Sequence, residues 1–294
     1  MNKKERLDNY LVLNGYFDTK NQAQGNILAG KVKINGEVLT KAGFQINTEK
    51  PQNIEIESMP YVSRGGFKLE KALKEFNINL QDKICLDGGA STGGFTDCML
   101  QNAAAKVYAV DVGYGQIAWK LRNDPKVVVI ERTNIRNAKP EAVYNQNNEW
   151  IASSQAPRND SDFFAEFCTM DLSFISITKV LGNVKNLMNP DKKEIVALIK
   201  PQFEAGKELV PKSGVIKDKN IHVSVIKNIV DFASEINLFP VNLTFSPIQG
   251  PAGNIEYLIY LKNKAEYNKT EFEKSITETV EKAHEHFNSN KINK

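Results

Sequence analysis

Three charged residues lie beside apolar segments of the chain, where they could carry out acid–base chemistry. Asp171 and Lys200 each follow an apolar run, and Glu256 lies within another. A charge beside a buried strand costs free energy unless it is paired or opens to a cleft. A structural ion pair would explain each of the three alone, but together they indicate a shared site.

A glycine-rich segment, Gly88–Gly94, follows the apolar residues Ile84–Leu86 and the acid Asp87, and it precedes a helix predicted to begin at about Phe95. Glycines let a backbone approach a bound molecule without Cβ clashes, and the first N–H groups of a helix are free to bind one. The segment therefore predicts a loop that binds a nucleotide-type cofactor through Asp87, Gly89, Ala90, Ser91, Gly93, Gly94 and Phe95.

Three functions compete for this loop. Its glycine spacing does not match the G-x-G-x-x-G pattern of dinucleotide enzymes. Gly89–Gly93 matches the G-x-S-x-G pattern of hydrolases with Ser91 as nucleophile, but only His222 could complete a triad and no oxyanion motif precedes the serine. The third function is binding of S-adenosylmethionine. Asp111, at the end of the next predicted strand, would then accept hydrogen bonds from ribose hydroxyls, and Asp87 would meet the cationic amino-acid moiety.

The charged residues suit transfer of a methyl group to a hydroxyl. A ribose hydroxyl must lose its proton as it attacks, and an amine takes up that proton only in its neutral form. Burial and a second cation favour the neutral form of a lysine. We therefore interpret Lys200 as the proton acceptor and Lys68 as a second cation, with Asp171 and Glu256 orienting their ammonium groups.

The elements that must position these residues begin near Tyr61. Apolar strands alternate with helical segments from there on, which predicts an α/β fold of the Rossmann-like, doubly wound kind, with a mainly parallel sheet and helices on both faces. Ligands of such sheets bind at the carboxyl ends of the strands. The predicted strands are Lys83–Asp87, Val107–Asp111, Val127–Glu131, Phe167–Asp171, Glu194–Lys200 and Asn254–Leu261.

The first 59 residues have a different pattern. Two short helices, the second at Lys20–Leu28 with Thr19 as its N-cap, precede a hairpin that turns at Asn35-Gly36. We therefore predict a small α+β domain at residues 1–59 and a catalytic domain at 60–294.

Two segments lie outside these elements. The polar stretch 145–162 is typical of a surface loop. The last segment, Ala265–Lys294, predicts a charged amphipathic helix, and we expect its histidines His284 and His286 to face solvent.

Composition excludes several classes of protein. The net charge of +3 is compatible with nucleic-acid binding. No apolar stretch approaches the roughly 20 residues that cross a bilayer, and the first ten residues lack the apolar centre of a signal peptide, so we expect a cytoplasmic protein with no membrane partner.

The three cysteines form no C-x-x-C pair, and there are three histidines. We therefore expect buried thiols and no metal site.

Five motifs, in this order along the chain, resemble those of the hemolysin A-like (TlyA-type) ribosomal RNA methyltransferases, whose catalytic domain is FtsJ-like: 61–73, 87–96, 108–116, 131–136 and 170–176. The resemblance implies an S-adenosylmethionine-dependent 2′-O-methyltransferase that acts on cytidines of ribosomal RNA, free or in ribosomal subunits, with no obligate protein partner. It also implies that Lys68, Asp171, Lys200 and Glu256 are the catalytic set and that Asn134 lies near the adenine.

The first domain resembles the ribosomal protein S4-like RNA-binding domain of the same family. This resemblance implies phosphate contacts by Arg6, Lys20, Lys31 and Lys33, although Gln22, Gln24 and Gly25 stand where relatives have basic residues. The family name also raises the alternative of a membrane-active hemolysin without enzymatic activity. A serine hydrolase that uses Ser91 is the third possibility.

Overall fold

The computed structural model describes residues 4–17, 19–56, 59–144 and 164–292, so the predicted polar loop 145–162 lies outside the described residues. The chain divides into two compact units, 1–60 and 61–294.

The first unit is a small α+β structure built from two helices and short antiparallel strands. The helices are α1 (Leu7–Leu13) and α2 (Lys20–Leu28), and the strands are β1 (Lys4–Arg6), β2 (Val32–Ile34), β3 (Glu37–Val38), β4 (Gln45–Asn47) and β5 (Ile54–Ile56). Strand β1 pairs with β4, and β2 lies between β3 and β5. The core consists of Leu7, Leu11, Ala23, Ile27, Val32, Ile34 and Ile46.

Local sequence signals determine where two elements of this unit begin and turn. Helix α2 begins where predicted, because the Thr19 hydroxyl accepts a hydrogen bond from the backbone N–H of Gln22 at 3.3 Å. The hairpin between β2 and β3 turns at Asn35 and Gly36, whose φ angles are +54° and +85°. Asparagine and glycine tolerate this left-handed backbone better than other residues.

The second unit is an α/β structure around one large sheet. Its strands are β6 (Ile84–Gly88), β7 (Lys106–Val110), β8 (Val127–Ile130), β9 (Phe167–Met170), β10 (Glu194–Ile199), β11 (Phe239–Phe245) and β12 (Tyr257–Lys262). Its α-helices, as far as the structure describes them, are α3 (Gly65–Glu75), α4 (Gly94–Gln101), α5 (Trp119–Arg122), α6 (Pro140–Tyr144), α7 (Thr178–Leu187), α8 (Pro201–Glu204), α9 (Lys219–Glu235) and α10 (Lys269–Ile292), and a 3₁₀ turn covers Lys207–Leu209.

The seven strands of the large sheet follow the order β11-β12-β10-β9-β6-β7-β8. The five strands from β10 to β8 are parallel, and β12 and β11 are antiparallel additions at one edge. Apolar clusters cover both faces of the sheet. The fully buried Leu86 belongs to one cluster, and the fully buried Val196 belongs to the other. The mainly parallel, doubly covered sheet is therefore confirmed, although β11 was not predicted.

The C-terminal helix α10 packs against α9 and β11. Its buried apolar residues include Val280 and Ala283, and His284, one turn after Val280, is 8% exposed. The expectation that His284 faces solvent is therefore wrong, because this position belongs to the buried side of the helix. No helix in the described part of the chain is long and apolar enough to cross a membrane.

Candidate active site

The predicted residues Lys68, Asp171, Lys200 and Glu256 come together in one cluster, which we call the quartet. Lys68 Nζ donates a hydrogen bond to Glu256 Oε2 at 2.7 Å and lies 3.7 Å from Asp171 Oδ2. Lys200 Nζ lies 2.6 Å from the other oxygen of the same carboxylate, Asp171 Oδ1. Asp171 therefore stands between two ammonium groups, and the two acids balance the two lysines.

Strand register explains why residues so far apart in sequence meet here. Strands β9 and β10 are parallel, with Met170 opposite Ala197, so Asp171 and Lys200 both follow strands that end at the same edge. Strand β12 runs the other way, with Tyr257 opposite Ile199, so the residue before its start, Glu256, reaches that edge as well. Lys68 comes from helix α3, which packs nearby on β12.

The quartet is largely withdrawn from water. Lys68 and Lys200 are each 8% exposed, and Glu256 is 1% exposed. Buried charges are tolerated when they are paired and hydrogen-bonded. A further partner is Ser173, whose hydroxyl accepts a hydrogen bond from Lys200 Nζ at 2.9 Å. Sequence reasoning missed this serine, although its position two residues after Asp171 was the available signal.

A cavity of about 320 Å³ opens on the quartet. All four quartet residues line it, together with Ser173, Gly94, Phe95 and the loop at 248–251. In this loop, a Cβ on Gly250 would lie 2.5 Å from Glu256 Oε1. A larger residue at 250 would therefore push on the Glu256 carboxylate.

A second cavity, of about 500 Å³, adjoins the first. It is lined by the predicted cofactor residues Gly89, Ser91, Asp111 and Asn134. Gly89, Ser91, Asp171 and Ser173 line both cavities, so the two meet beside the quartet.

The carboxylate of Asp111 organises the floor of the second cavity. Its Oδ2 accepts a hydrogen bond from the backbone N–H of Ser91 at 2.8 Å, and its Oδ1 accepts one from Gly113 at 2.7 Å. A carboxylate oxygen has more than one lone pair. Asp111 can therefore bind ligand hydroxyls while it holds the glycine loop.

The glycines of the loop are also needed for packing within the protein, a reason that the sequence analysis did not give. Gly89 has φ +86°, and a Cβ there would lie 2.7 Å from the carbonyl oxygen of Asp171. A Cβ on Gly94 would lie 2.9 Å from the backbone nitrogen of Gly66, and Gly93 lies against Leu121. Gly93 is accordingly not among the residues that line either cavity.

Asp87 lies beneath the loop instead of facing a ligand. It is fully buried and accepts hydrogen bonds from the hydroxyls of Thr96 at 2.6 Å and Thr169 at 2.9 Å. Burial raises its pKa to about 6, against those hydrogen bonds. Asp87 lines neither cavity, and α4 and β9 supply the hydrogen-bond partners of its carboxylate, so its predicted contact with a cationic amino-acid moiety stays a prediction.

The geometry around Ser91 does not form a hydrolase triad. The Ser91 hydroxyl lies 3.5 Å from Gln116 Oε1. The Nδ1 of His222 is instead 2.7 Å from the Tyr257 hydroxyl, and its Nε2 is 3.1 Å from the carbonyl oxygen of Ile216. The buried His222 thus has its hydrogen-bond partners elsewhere.

Two of the basic residues predicted to bind RNA are engaged within the first unit. Arg6 donates hydrogen bonds to both oxygens of Asp8, at 3.0 and 2.8 Å, and Lys20 lies 3.9 Å from the same carboxylate. Arg6 holds the pKa of the buried Asp8 well below its usual range. Arg6, Lys20 and Lys33 are all exposed and Lys31 is half-buried, so the contacts with Asp8 are what distinguish Arg6 and Lys20 from Lys33.

The Rossmann-like sheet, the glycine loop at its carboxyl edge and the carboxylate at the end of β7 together define a methyltransferase fold. A family model described as FtsJ-like methyltransferase matches residues 61–263, and one described as S4 domain matches residues 5–50. The chain belongs to the FtsJ-like methyltransferase family, which confirms the predicted resemblance.

Similar proteins cover nearly the whole chain. The Bacillus subtilis protein YqxC is 44% identical over 96% of this chain and 95% of its own length. A Mycobacterium tuberculosis protein named 16S/23S rRNA (cytidine-2′-O)-methyltransferase TlyA is 38% identical over 90% of this chain and 92% of its own. A solved structure described as "Putative hemolysin from Streptococcus thermophilus" is 40% identical, with a TM-score of 0.70 and 99% of both chains covered.

Proposed function

We propose that this protein transfers the methyl group of S-adenosylmethionine to the ribose 2′-hydroxyl of a cytidine in ribosomal RNA. The observation that carries the proposal is the quartet, in which the buried Lys68, Lys200 and Glu256 surround the half-buried Asp171 where two cavities meet. The name of the Mycobacterium tuberculosis relative supports the cytidine and the ribosomal RNA.

The second cavity fits the cofactor. Asp111 offers carboxylate oxygens to ribose hydroxyls, and Asn134 lines the part of the cavity that the adenine would occupy. The backbone of Gly89 and Ser91 would adjoin the methionine part, because these residues also line the cavity next to the quartet. S-adenosylmethionine, when bound, supplies a methyl group activated by the positive charge on sulfur.

Lys200 is the residue proposed to take the proton of the 2′-hydroxyl. Its Nζ contacts Asp171 and Ser173 on the protein side, and it lines the first cavity, where the ribose would bind. Asp171 contacts both Lys68 and Lys200, so this one carboxylate orients both ammonium groups at the cavity. As Lys200 takes the proton, the ribose oxygen would form its bond to the methyl carbon while the carbon–sulfur bond breaks and the neutral thioether leaves. Positioning and proton removal are therefore the protein's main contributions.

The first unit is proposed to bind structured RNA. It matches the S4 domain, and the exposed Lys33 offers a cation to a phosphate. In this proposal the second unit carries the chemistry and the first unit contributes affinity for the ribosomal substrate.

The decisive experiment incubates the full chain with ribosomal subunits and S-adenosylmethionine labelled in the methyl group, and then maps the modified nucleotide. We expect label on a ribose 2′-oxygen of a cytidine. Label on a base, or no label in RNA, would overturn the proposal.

A matched pair of variants tests the role of Lys200. Lys200→Met should lower methyl transfer by about 100-fold or more, which is the usual contribution of a general base. Lys71→Met is the control: Lys71 lies one turn from Lys68, donates to the Phe245 carbonyl at 2.8 Å and should change the rate by less than about threefold. The hemolysin alternative would be favoured if the wild type and Lys200→Met both lysed red cells and the wild type transferred no methyl group.

A further inference from the structure

The segment after β9 and the segment after β10 contact each other at three successive points. Lys200 contacts Asp171 and Ser173, as described above. The ring of Phe203 lies 5.0 Å from that of Phe174, centroid to centroid. Glu204 then bonds with residues 176 and 177. Helix α8 is thus attached along its length to the loop that carries Asp171.

The last of these contacts is made by a carboxylate that the mechanism does not use. Glu204 Oε2 accepts a hydrogen bond from the Ser176 hydroxyl at 2.6 Å, and Oε1 accepts one from the backbone N–H of Ile177 at 2.8 Å. Ile177 is the N-cap residue of α7 and its own side chain cannot cap the helix. Glu204 therefore caps α7 from another segment, and a carboxylate at this end of a helix is favoured by the helix dipole.

The loop between Asp171 and Ser176 needs such a restraint. Phe174 has φ +64° and is 89% exposed, so its side chain gains little from burial while its backbone is strained. A left-handed backbone at a residue other than glycine costs about 1 kcal/mol or more. Contacts at the ends of the loop have to offset this cost.

Burial raises the pKa of Glu204 overall, and the hydrogen bonds from Ser176 and Ile177 and the nearby cation Lys179 offset part of this rise. The charged form of the carboxylate is the better acceptor for these two hydrogen bonds.

We infer that Glu204 is a positioning residue for methyl transfer: by capping α7 it holds the loop 171–177 where Asp171 and Ser173 contact Lys200. This inference rests on the proposed function. Glu204 acts through the loop and lines neither of the two cavities of the site.

The test compares Glu204→Gln with Glu194→Gln in the full chain. Glu194 is a matched control at the other end of β10, since its carboxylate also accepts two hydrogen bonds, from Lys83 at 3.0 Å and from the Tyr260 hydroxyl at 2.6 Å. We expect Glu204→Gln to lower kcat about 10- to 100-fold and to raise the Kd for S-adenosylhomocysteine by a smaller factor, because residues 171–175 also line the proposed cofactor cavity. The KM for RNA should change less than about threefold. Glu194→Gln should lower the Tm and leave kcat within about twofold.

A second readout does not depend on the reaction. Amide hydrogen exchange at residues 172–177 should become faster in Glu204→Gln and stay unchanged in Glu194→Gln. Ser176→Ala combined with Glu204→Gln should lower kcat by less than the product of the two single effects.

Two results would overturn the inference: an unchanged kcat in Glu204→Gln, or equal losses of kcat in the two glutamine variants. Failure of the proposed function itself is distinguishable, because the wild-type protein would then transfer no methyl group to ribose.

Discussion

Lys68 and Glu256 form a direct ion pair, with 2.7 Å between Nζ and Oε2, although they are 188 positions apart in the chain. Both side chains are almost completely buried. The pair therefore does two things at once: it holds helix α3 against the start of β12, and it keeps Lys68 beside the carboxylate of Asp171 at 3.7 Å.

Glu256→Gln should both destabilise and inactivate the protein. The change leaves the buried ammonium of Lys68 with a single carboxylate at 3.7 Å, and breaking a buried pair in this way typically costs about 3 kcal/mol. We expect a lower urea midpoint and loss of methyl transfer. The double variant Lys68→Met with Glu256→Gln should recover much of the stability but none of the activity. If the losses in the free energy of unfolding of Lys68→Met and Glu256→Gln simply add in the double variant, the two residues are not energetically coupled.

Asp111→Asn and Ser91→Ala distinguish the methyl-donor site from the hydrolase alternative. Asp111 uses both oxygens to bind backbone N–H groups of Ser91 and Gly113, and an amide has only one oxygen to offer. We expect the Kd for S-adenosylhomocysteine, measured by calorimetry, to rise about tenfold or more in Asp111→Asn.

Ser91→Ala should keep the Kd and the methyl-transfer rate within about threefold of the wild type. Only its backbone N–H is bonded to Asp111, and its hydroxyl makes one long contact of 3.5 Å to Gln116. Loss of activity in Ser91→Ala with an unaffected Asp111→Asn would contradict the cofactor site.

The sheet and the quartet could be predicted because each depends on a pattern that is local in sequence. An apolar run followed by a charged residue predicts a strand end, and parallel strands end at one edge, so Asp171 and Lys200 were expected at the same edge of the sheet. Their adjacency depends on the strand order, which the sequence analysis did not predict. Glu256 needed the antiparallel direction of β12, which the residues do not reveal. Its charge inside an apolar run was nevertheless enough to mark it.

The features that sequence reasoning missed depend on tertiary contacts. Asp87 was expected in the cavity, but two threonines from α4 and β9 hold it beneath the loop. The sequence did not show that Arg6, a predicted RNA contact, forms a two-point contact with Asp8. Strand β11 is mostly half-buried at the edge of the sheet and contains Pro240, so its residues carry a weak strand signal, and its place is set by pairing with β12.

The predicted RNA contacts of the first unit can be separated by salt dependence. Lys33→Ala should weaken binding to ribosomal subunits and reduce the slope of log K against log salt by roughly 0.9, as expected for the loss of one phosphate contact on a duplex. Its fold should be unchanged, because Lys33 is exposed.

Arg6→Ala should behave differently, because Arg6 is the hydrogen-bond partner of the buried Asp8. We expect lower stability of the first unit, and the double variant Asp8→Asn with Arg6→Ala should regain part of it. For Lys33, a slope of log K against log salt that is identical in Lys33→Ala and the wild type would contradict a contact between this residue and a phosphate.

The buried histidine His222 predicts how stability depends on pH. It lies between the Tyr257 hydroxyl and the Ile216 carbonyl, and His284 Nε2 is 3.2 Å from its Nδ1. Burial and the neighbouring His284 lower the pKa of His222 to about 4. The unfolded chain, with an ordinary pKa of about 6.5, binds this proton first as pH falls. The free energy of unfolding should therefore decrease by about 3 kcal/mol in total between about pH 6.5 and pH 4 on account of this group.

His222→Gln should remove that contribution, because glutamine does not titrate. The difference in the free energy of unfolding between wild type and His222→Gln isolates this contribution, because Asp87 is present in both proteins. Asp87 acts in the opposite direction, since its raised pKa of about 6 makes the folded state relatively more stable as pH falls toward 4. Urea unfolding at several pH values should thus show the gap between wild type and variant closing, or reversing, as pH falls from 7 to 4. A gap that stays constant over this range would show that folding does not disfavour the charged form of His222.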